Sequence, residues 1–139
     1  MRRAGLLALV LASLVSCTVS YPTVDQLGEP LIRPENARVL HPAPSGGSAV
    51  VYVEVVNRGG ADDTLVGVLS DVAGHAELRD RSGRLGKVSI PPASTVTLTS
   101  DGRHIELYDL KQPLRTGDVI IVTLLFEKSG AIGAITAVQ

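Results

Sequence analysis

From Ala49 to the C-terminus, short runs of Val, Ile, Leu and Thr recur between turn residues, and no window of helical length carries an apolar stripe at a 3.6-residue period. Such a chain has one economical way to bury its apolar side chains, which is to pair short strands and close the resulting sheet over a core. The runs that read as strands are Ala49–Val56, Thr64–Leu69, Ala76–Asp80, Lys87–Ile90, Thr95–Thr99, His104–Leu110, Val119–Glu127 and Ala131–Val138. Seven or eight strands at this spacing predict an all-β sandwich or barrel. Within two of the runs the alternation is strict: Val96 and Leu98 are set against Thr95, Thr97 and Thr99, and Ile105 and Leu107 against His104, Glu106 and Tyr108. Each of these strands should bury one face and wet the other. Val119 to Phe126 is apolar almost throughout and is expected to lie centrally, covered on both sides, with Val122 and Leu124 buried. Tyr52 and Phe126 read as core anchors, and Asp62-Asp63 and Gly117-Asp118 as turns. Gly130 and Gly133 should allow a hairpin or bulge before the last strand.

The N-terminus has a different character. Arg2 and Arg3 precede an apolar stretch from Ala4 to Val15, interrupted only by Ser13, and Ser16-Cys17 follow. A basic start, a short apolar run and a small residue at the cut make a secretory signal, and about a dozen residues fall short of the roughly 20 that span a bilayer. Leu14-Val15-Ser16-Cys17 resembles a bacterial lipobox, in which the Cys becomes the acylated first residue of the mature chain, and Cys17 is the only cysteine present. The expected organisation is a signal peptide over residues 1–16, a lipidated N-terminus and Pro-containing tether over 17–38, and a β-sandwich domain over 39–139, its first strand near Val39-Leu40. The product would be an extracytoplasmic protein held on the cell membrane by a lipid on Cys17.

Thirteen basic against 14 acidic side chains give a formal charge of -1, and removal of residues 1–16 leaves 11 against 14, a net charge of -3. No field attracts a polyanion, which excludes nucleic acid as a partner. Catalysis also finds no foothold. Gly-x-Ser-x-Gly, His-Glu-x-x-His, a phosphate-binding Gly-rich loop and paired metal-binding cysteines are all absent, so an enzyme is not expected.

Several stretches together resemble the PCu(A)C-type periplasmic copper chaperones. They are Tyr52 with Asn57-Arg58-Gly59, Asp62 to Val68, Gly102-Arg103-His104-Ile105-Glu106-Leu107, Leu110-Lys111-Gln112-Pro113-Leu114, Gly117-Asp118, and Leu124 to Gly130. The resemblance runs from about Ala49 to Val138. It implies a cupredoxin-like Greek-key β-sandwich, copper as cargo, and delivery to a copper-receiving membrane protein, the dinuclear copper centre of cytochrome oxidase.

The family's metal ligands are matched at a single position. Where the resemblance implies a first His, this chain has Arg79; the loop that follows holds no Met; and the terminal His-x-Met pair reads His104-Ile105-Glu106. Cu(I) favours thioether and thiolate, whereas imidazole and carboxylate suit Zn(II) or Cu(II). His104 and Glu106, two apart on one strand, share a face, and His75 and Glu77 repeat the spacing. His104 and Glu106 with His75 are the candidate metal ligands. The competing reading pairs Arg79 with Glu77 or Glu106 in a surface salt bridge. His41, before Pro42, reads as solvated. The function expected is that of a lipid-anchored, copper-chaperone-like protein, and the alternative is a relative without metal that serves as an interaction module of the cell envelope.

Overall fold

The sequence Ala49-Val-Val-Tyr-Val-Glu-Val-Val-Asn57 alternates buried and half-buried residues along its whole length, as a strand with one face on a core must. This strand, β2 (Ala49–Asn57), sits mid-sheet in the computed structural model, which describes residues 28–99 and 102–139. The expected signal peptide and the lipidation site Cys17 lie outside the described residues. The other strands are β1 (Ile32–Val39), β3 (Asp63–Leu69), β4 (Ala73–Asp80), β5 (Gly83–Arg84), β6 (Val88–Ile90), β7 (Ser94–Leu98), β8 (His104–Leu110), β9 (Val119–Phe126) and β10 (Gly130–Val138). They form one sheet in the order β5-β4-β8-β2-β1-β10-β9-β3-β6, with β7 also paired to β2. All pairings are antiparallel except β1 with β10. The sheet curls round a single cluster in which Val51, Val55, Leu65, Ile90, Leu98, Ile105, Leu107 and Leu124 are fully buried.

The all-β expectation holds with more strands than the sequence suggested. The addition is the two-residue β5; more consequentially, β1, expected near Val39-Leu40, already enters the sheet at Ile32, inside the stretch 17–38 expected to be tether. Its signal is masked because Arg33-Pro34-Glu35-Asn36 breaks any alternation, and a register shift between Glu35 and Arg38 accommodates Asn36 at φ 52°. Tyr52 is half-buried rather than a core anchor, and the Arg38 guanidinium lies 5.8 Å from its ring centroid. Phe126 is buried as expected, and Gly130, at φ +73°, makes the hairpin turn into β10.

β9 departs from expectation in an informative way. It lies inside the sheet, between β10 and β3, and Val122 and Leu124 are wholly buried, yet Val119 is 65% and Ile121 59% exposed. A single curled sheet covers one face of each strand, and among the described residues no second layer lies over the other.

Two buried polar side chains tie the loops to this frame. Asn57 accepts the amides of Leu31 (3.1 Å) and Gly59 (2.9 Å) and donates to the carbonyls of Ala61 (2.8 Å) and Pro91 (3.2 Å), so one residue joins the chain entry to two turns. A Cβ on Gly59 would overlap the backbone of Glu29, which accounts for glycine in Asn57-Arg58-Gly59. Asp63 accepts the amides of Thr64 (2.7 Å), Lys128 (2.9 Å) and Ser129 (2.9 Å), together with the Ser129 hydroxyl. It therefore clasps the start of β3 to the β9–β10 hairpin, a longer reach than the local turn expected of it.

Candidate functional site

The strand pair β4 and β8 presents the polar face on which the sequence placed its candidate ligands. Inward-facing Leu78 and Ile105 are cross-strand partners in the core, and this fixes the register. On the outer face, Arg79 is opposite His104, Glu77 opposite Glu106, and His75 opposite Tyr108. Two like-charged carboxylates thus stand directly across from one another, an arrangement that requires a cation. Arg79 supplies it. Its Nη1 lies 3.0 Å from Glu77 Oε2 and its Nε 3.5 Å from Glu106 Oε2, all three side chains being at least two-thirds buried. The hydrogen bond to Glu77, with the neighbouring Tyr108 and Glu106, raises the guanidinium above its already high ordinary pKa, so the positive charge is permanent.

His104 adjoins this cluster. Its Nδ1 is 3.1 Å from the carbonyl oxygen of Gly102, which can only accept, so the proton resides on Nδ1. Nε2 is then directed toward Glu106 Oε2, at 3.8 Å. His104 and Glu106 are therefore brought together as their spacing implied. His75 is not. It lies two cross-strand pairs away from His104, on the order of 13 Å along the strand at about 3.3 Å per residue. There it stacks on Tyr108 (centroids 4.8 Å apart, 15° between planes) and places Nδ1 3.3 Å from Asp109 Oδ2. Burial and the hydrogen bond to Glu106 both raise the Tyr108 hydroxyl, keeping it protonated.

Tyr108 and Asp109 were not singled out from the sequence. Alternation does put Tyr108 on the face of His104 and Glu106, so that signal was available. It puts Asp109 on the opposite face, and only the positive φ of 51° at Asp109, packed against Gly74, turns its carboxylate toward His75. His41 is exposed, as expected.

The donor set does not fit Cu(I). No Met or Cys lies among the described residues, since the chain has only Met1 and Cys17, and a permanent guanidinium holds the carboxylate that would have to ligate. No group of three or more His, Cys, Asp or Glu side chains among the described residues is placed to hold a metal ion.

The family of copper-chaperone domains nonetheless gives the structural matches. A family model described as "Putative lipoprotein LpqE-like" matches residues 32–138, from the first residue of β1 to the last of β10. The chain belongs to the LpqE-like family. A relative, "Putative lipoprotein Lxx21020" of Leifsonia xyli subsp. xyli, is 30% identical over 134 residues, covering 89% of this chain and 81% of its own. Among solved structures, the copper-bound PCuAC domain from PmoF2 superposes with a TM-score of 0.69 at 30% identity, over 78% of this chain and 92% of that domain. The Cu(I) form of DR1885 from Deinococcus radiodurans matches in fold, with a TM-score of 0.55 at 23% identity, over 73% of this chain and 78% of that one. The LpqE-like chain thus has the cupredoxin-like fold of PCuAC domains, and its family boundary at residue 32 agrees with the early start of β1.

Proposed function

We propose that this LpqE-like protein works on the outer face of the cell membrane, anchored through acylated Cys17, as a copper-chaperone-fold module whose metal-holding face engages a protein partner instead of carrying Cu(I). The observation that supports this is Arg79. It sits where the resemblance implies a His ligand, and it already satisfies the two carboxylates, Glu77 and Glu106, that a metal would otherwise use. The protein then carries its own cation at this face, about one-third exposed and flanked by acceptors, which suits charge-assisted hydrogen bonding to a partner.

A second reading rests on His104. With the proton held on Nδ1 by the Gly102 carbonyl, Nε2 offers a lone pair beside the Glu106 carboxylate, the beginning of a Cu(II) or Zn(II) site. Two donors sharing their carboxylate with Arg79 would bind weakly.

Parallel titration of the mature protein with Cu(I), Cu(II) and Zn(II) separates the readings. The expected result is no competitive Cu(I) binding. Cu(II) or Zn(II) binding that disappears in His104→Ala would establish the second reading, and tight Cu(I) binding would overturn both. For the anchor, the protein should partition with membranes, and Cys17→Ala should release it or leave the precursor uncut; an unmodified Cys17 by intact mass of the native protein would refute acylation.

A further inference from the structure

The outward positions of β9 and β10 hold one polar side chain, Thr123, and no charged one. Ile121 and Ile135 are direct cross-strand partners, Val119 lies one pair further along, and Leu69 of β3 extends the surface on the other side, opposite Thr123. Exposure is high at all four: 75% for Ile135, 65% for Val119, 59% for Ile121 and 57% for Leu69. The surface is also smooth. Gly133 and Gly67 sit between the large residues, and the side chains of Ile121 and Leu125 lie at 3.4 Å from where their Cβ atoms would be. β9 pairs with β10 along Val119–Phe126 and with β3 from Thr123 to Phe126, so its backbone is largely satisfied beneath this face.

We infer that this β3–β9–β10 face rests on the lipid surface of the membrane to which the protein is anchored, an inference that depends on the acylation of Cys17 proposed above. Three observations favour lipid over a second copy of the chain. The first is area: three strands about 4.8 Å apart and some seven residues long offer on the order of 350 Å², well below the roughly 800 Å² per partner of a stable protein interface. A bilayer imposes no such threshold, because the anchor supplies the local concentration. The second is reach. The described chain begins at Gly28, and residue 31 precedes β1, whose last residues Arg38 and Val39 pair in parallel with Ala137 and Val138 of β10, so that β1 borders this same surface. Residues 18 to 31 separate Cys17 from β1, and at 3.3–3.6 Å per residue they span at most about 50 Å. The third is the rim. Arg38, on the β1 position paired with Ala137, stands at the border of the face with its guanidinium over Tyr52, and Arg and Tyr are residue types that settle at headgroup level.

The test uses the mature lipidated protein with an environment-sensitive fluorophore on Ile135→Cys, Cys17 being blocked by its lipid, and a control label on Arg81→Cys in the exposed β4–β5 turn. Both are reconstituted into phosphatidylcholine–phosphatidylglycerol vesicles carrying nitroxide on the acyl chains. The protein should float with the vesicles, and lipid nitroxide should quench the label at position 135 several-fold more than that at 81. Adding Ile121→Asp should reduce the first to the level of the second while flotation persists. Flotation with equal quenching at both positions would overturn the lipid-facing surface but leave the anchor intact. Crosslinking between copies through Ile135→Cys, without quenching, would assign the face to a dimer instead. Failure to float would overturn the anchor, and the inference with it.

Discussion

Asp63→Ala should destabilise the fold by about 3–5 kcal/mol, the cost of leaving three part-buried amides and a hydroxyl without their shared, fully buried acceptor. The midpoint of urea unfolding should fall accordingly. Asn is not a conservative replacement here, because its NH2 group would face amide donors that need an acceptor. The same clasp gives a defined acid response. Burial pushes the Asp63 carboxyl upward, but the hydrogen bonds from Ser129, Lys128 and Thr64 outweigh it and leave the folded pKa below the ordinary carboxylate value. A group whose pKa is depressed by folding stabilises above its unfolded pKa, about 3.9, and that stabilisation is lost as pH falls through the folded value. Unfolding curves recorded from pH 6 downward should therefore show the wild type losing stability below about pH 4, with the gap to Asp63→Ala narrowing over the same interval. A gap that stays constant to the lowest pH would mean that the carboxylate charge is not what holds the hairpin.

Asp63 also shows what could be read from the chain and what could not. Runs of Val, Ile, Leu and Thr between turn residues were enough to locate β2, β3, β8, β9 and β10 within a residue or so, and in β8 burial on one face imposes a period of two directly on the sequence. That period placed His104 with Glu106, and His75 with Glu77, for the same reason. Three features lay beyond it. Pairing partners across the sheet are not encoded locally, so the 65-residue reach of Asp63 to the β9–β10 hairpin read only as a turn. Backbone irregularities reset the alternation, which concealed β1 behind the bulge at Asn36 and sent Asp109 to the wrong face. Apolar composition alone cannot distinguish a strand covered on both faces from one whose outer face awaits something else, and Val119 and Ile121 belong to the second kind. The resemblance to copper chaperones held at the level of scaffold, since the positions that carry it are mainly core, turn and hairpin residues. The ligand positions were free to change because the core does not depend on them.

That separation between scaffold and ligands yields the second prediction, which restores a soft metal site by substitution. Arg79→His combined with Glu106→Met should raise Cu(I) affinity by more than about 100-fold, a change larger than the 10–100-fold typical of altering a ligand's supporting partners. Register provides the geometry. Position 79 is the direct cross-strand partner of His104, and position 106 is two residues along the same face, so two imidazoles and a thioether would converge where cross-strand Cβ atoms stand about 4.5–5.5 Å apart. The electrostatics change in the same direction, since a fixed guanidinium leaves and a donor that Cu(I) prefers arrives. Arg79→Ala alone is the control. It removes the cation but adds no soft donor, and it leaves Glu77 and Glu106 facing each other as like charges, so it should favour Zn(II) or Cu(II) over Cu(I). Competition titration with a Cu(I)-specific chelator measures the difference. If the double variant binds Cu(I) no better than the parent, the cause cannot be Arg79, and the β4–β8 face would have lost metal binding through its backbone geometry as well as its side chains.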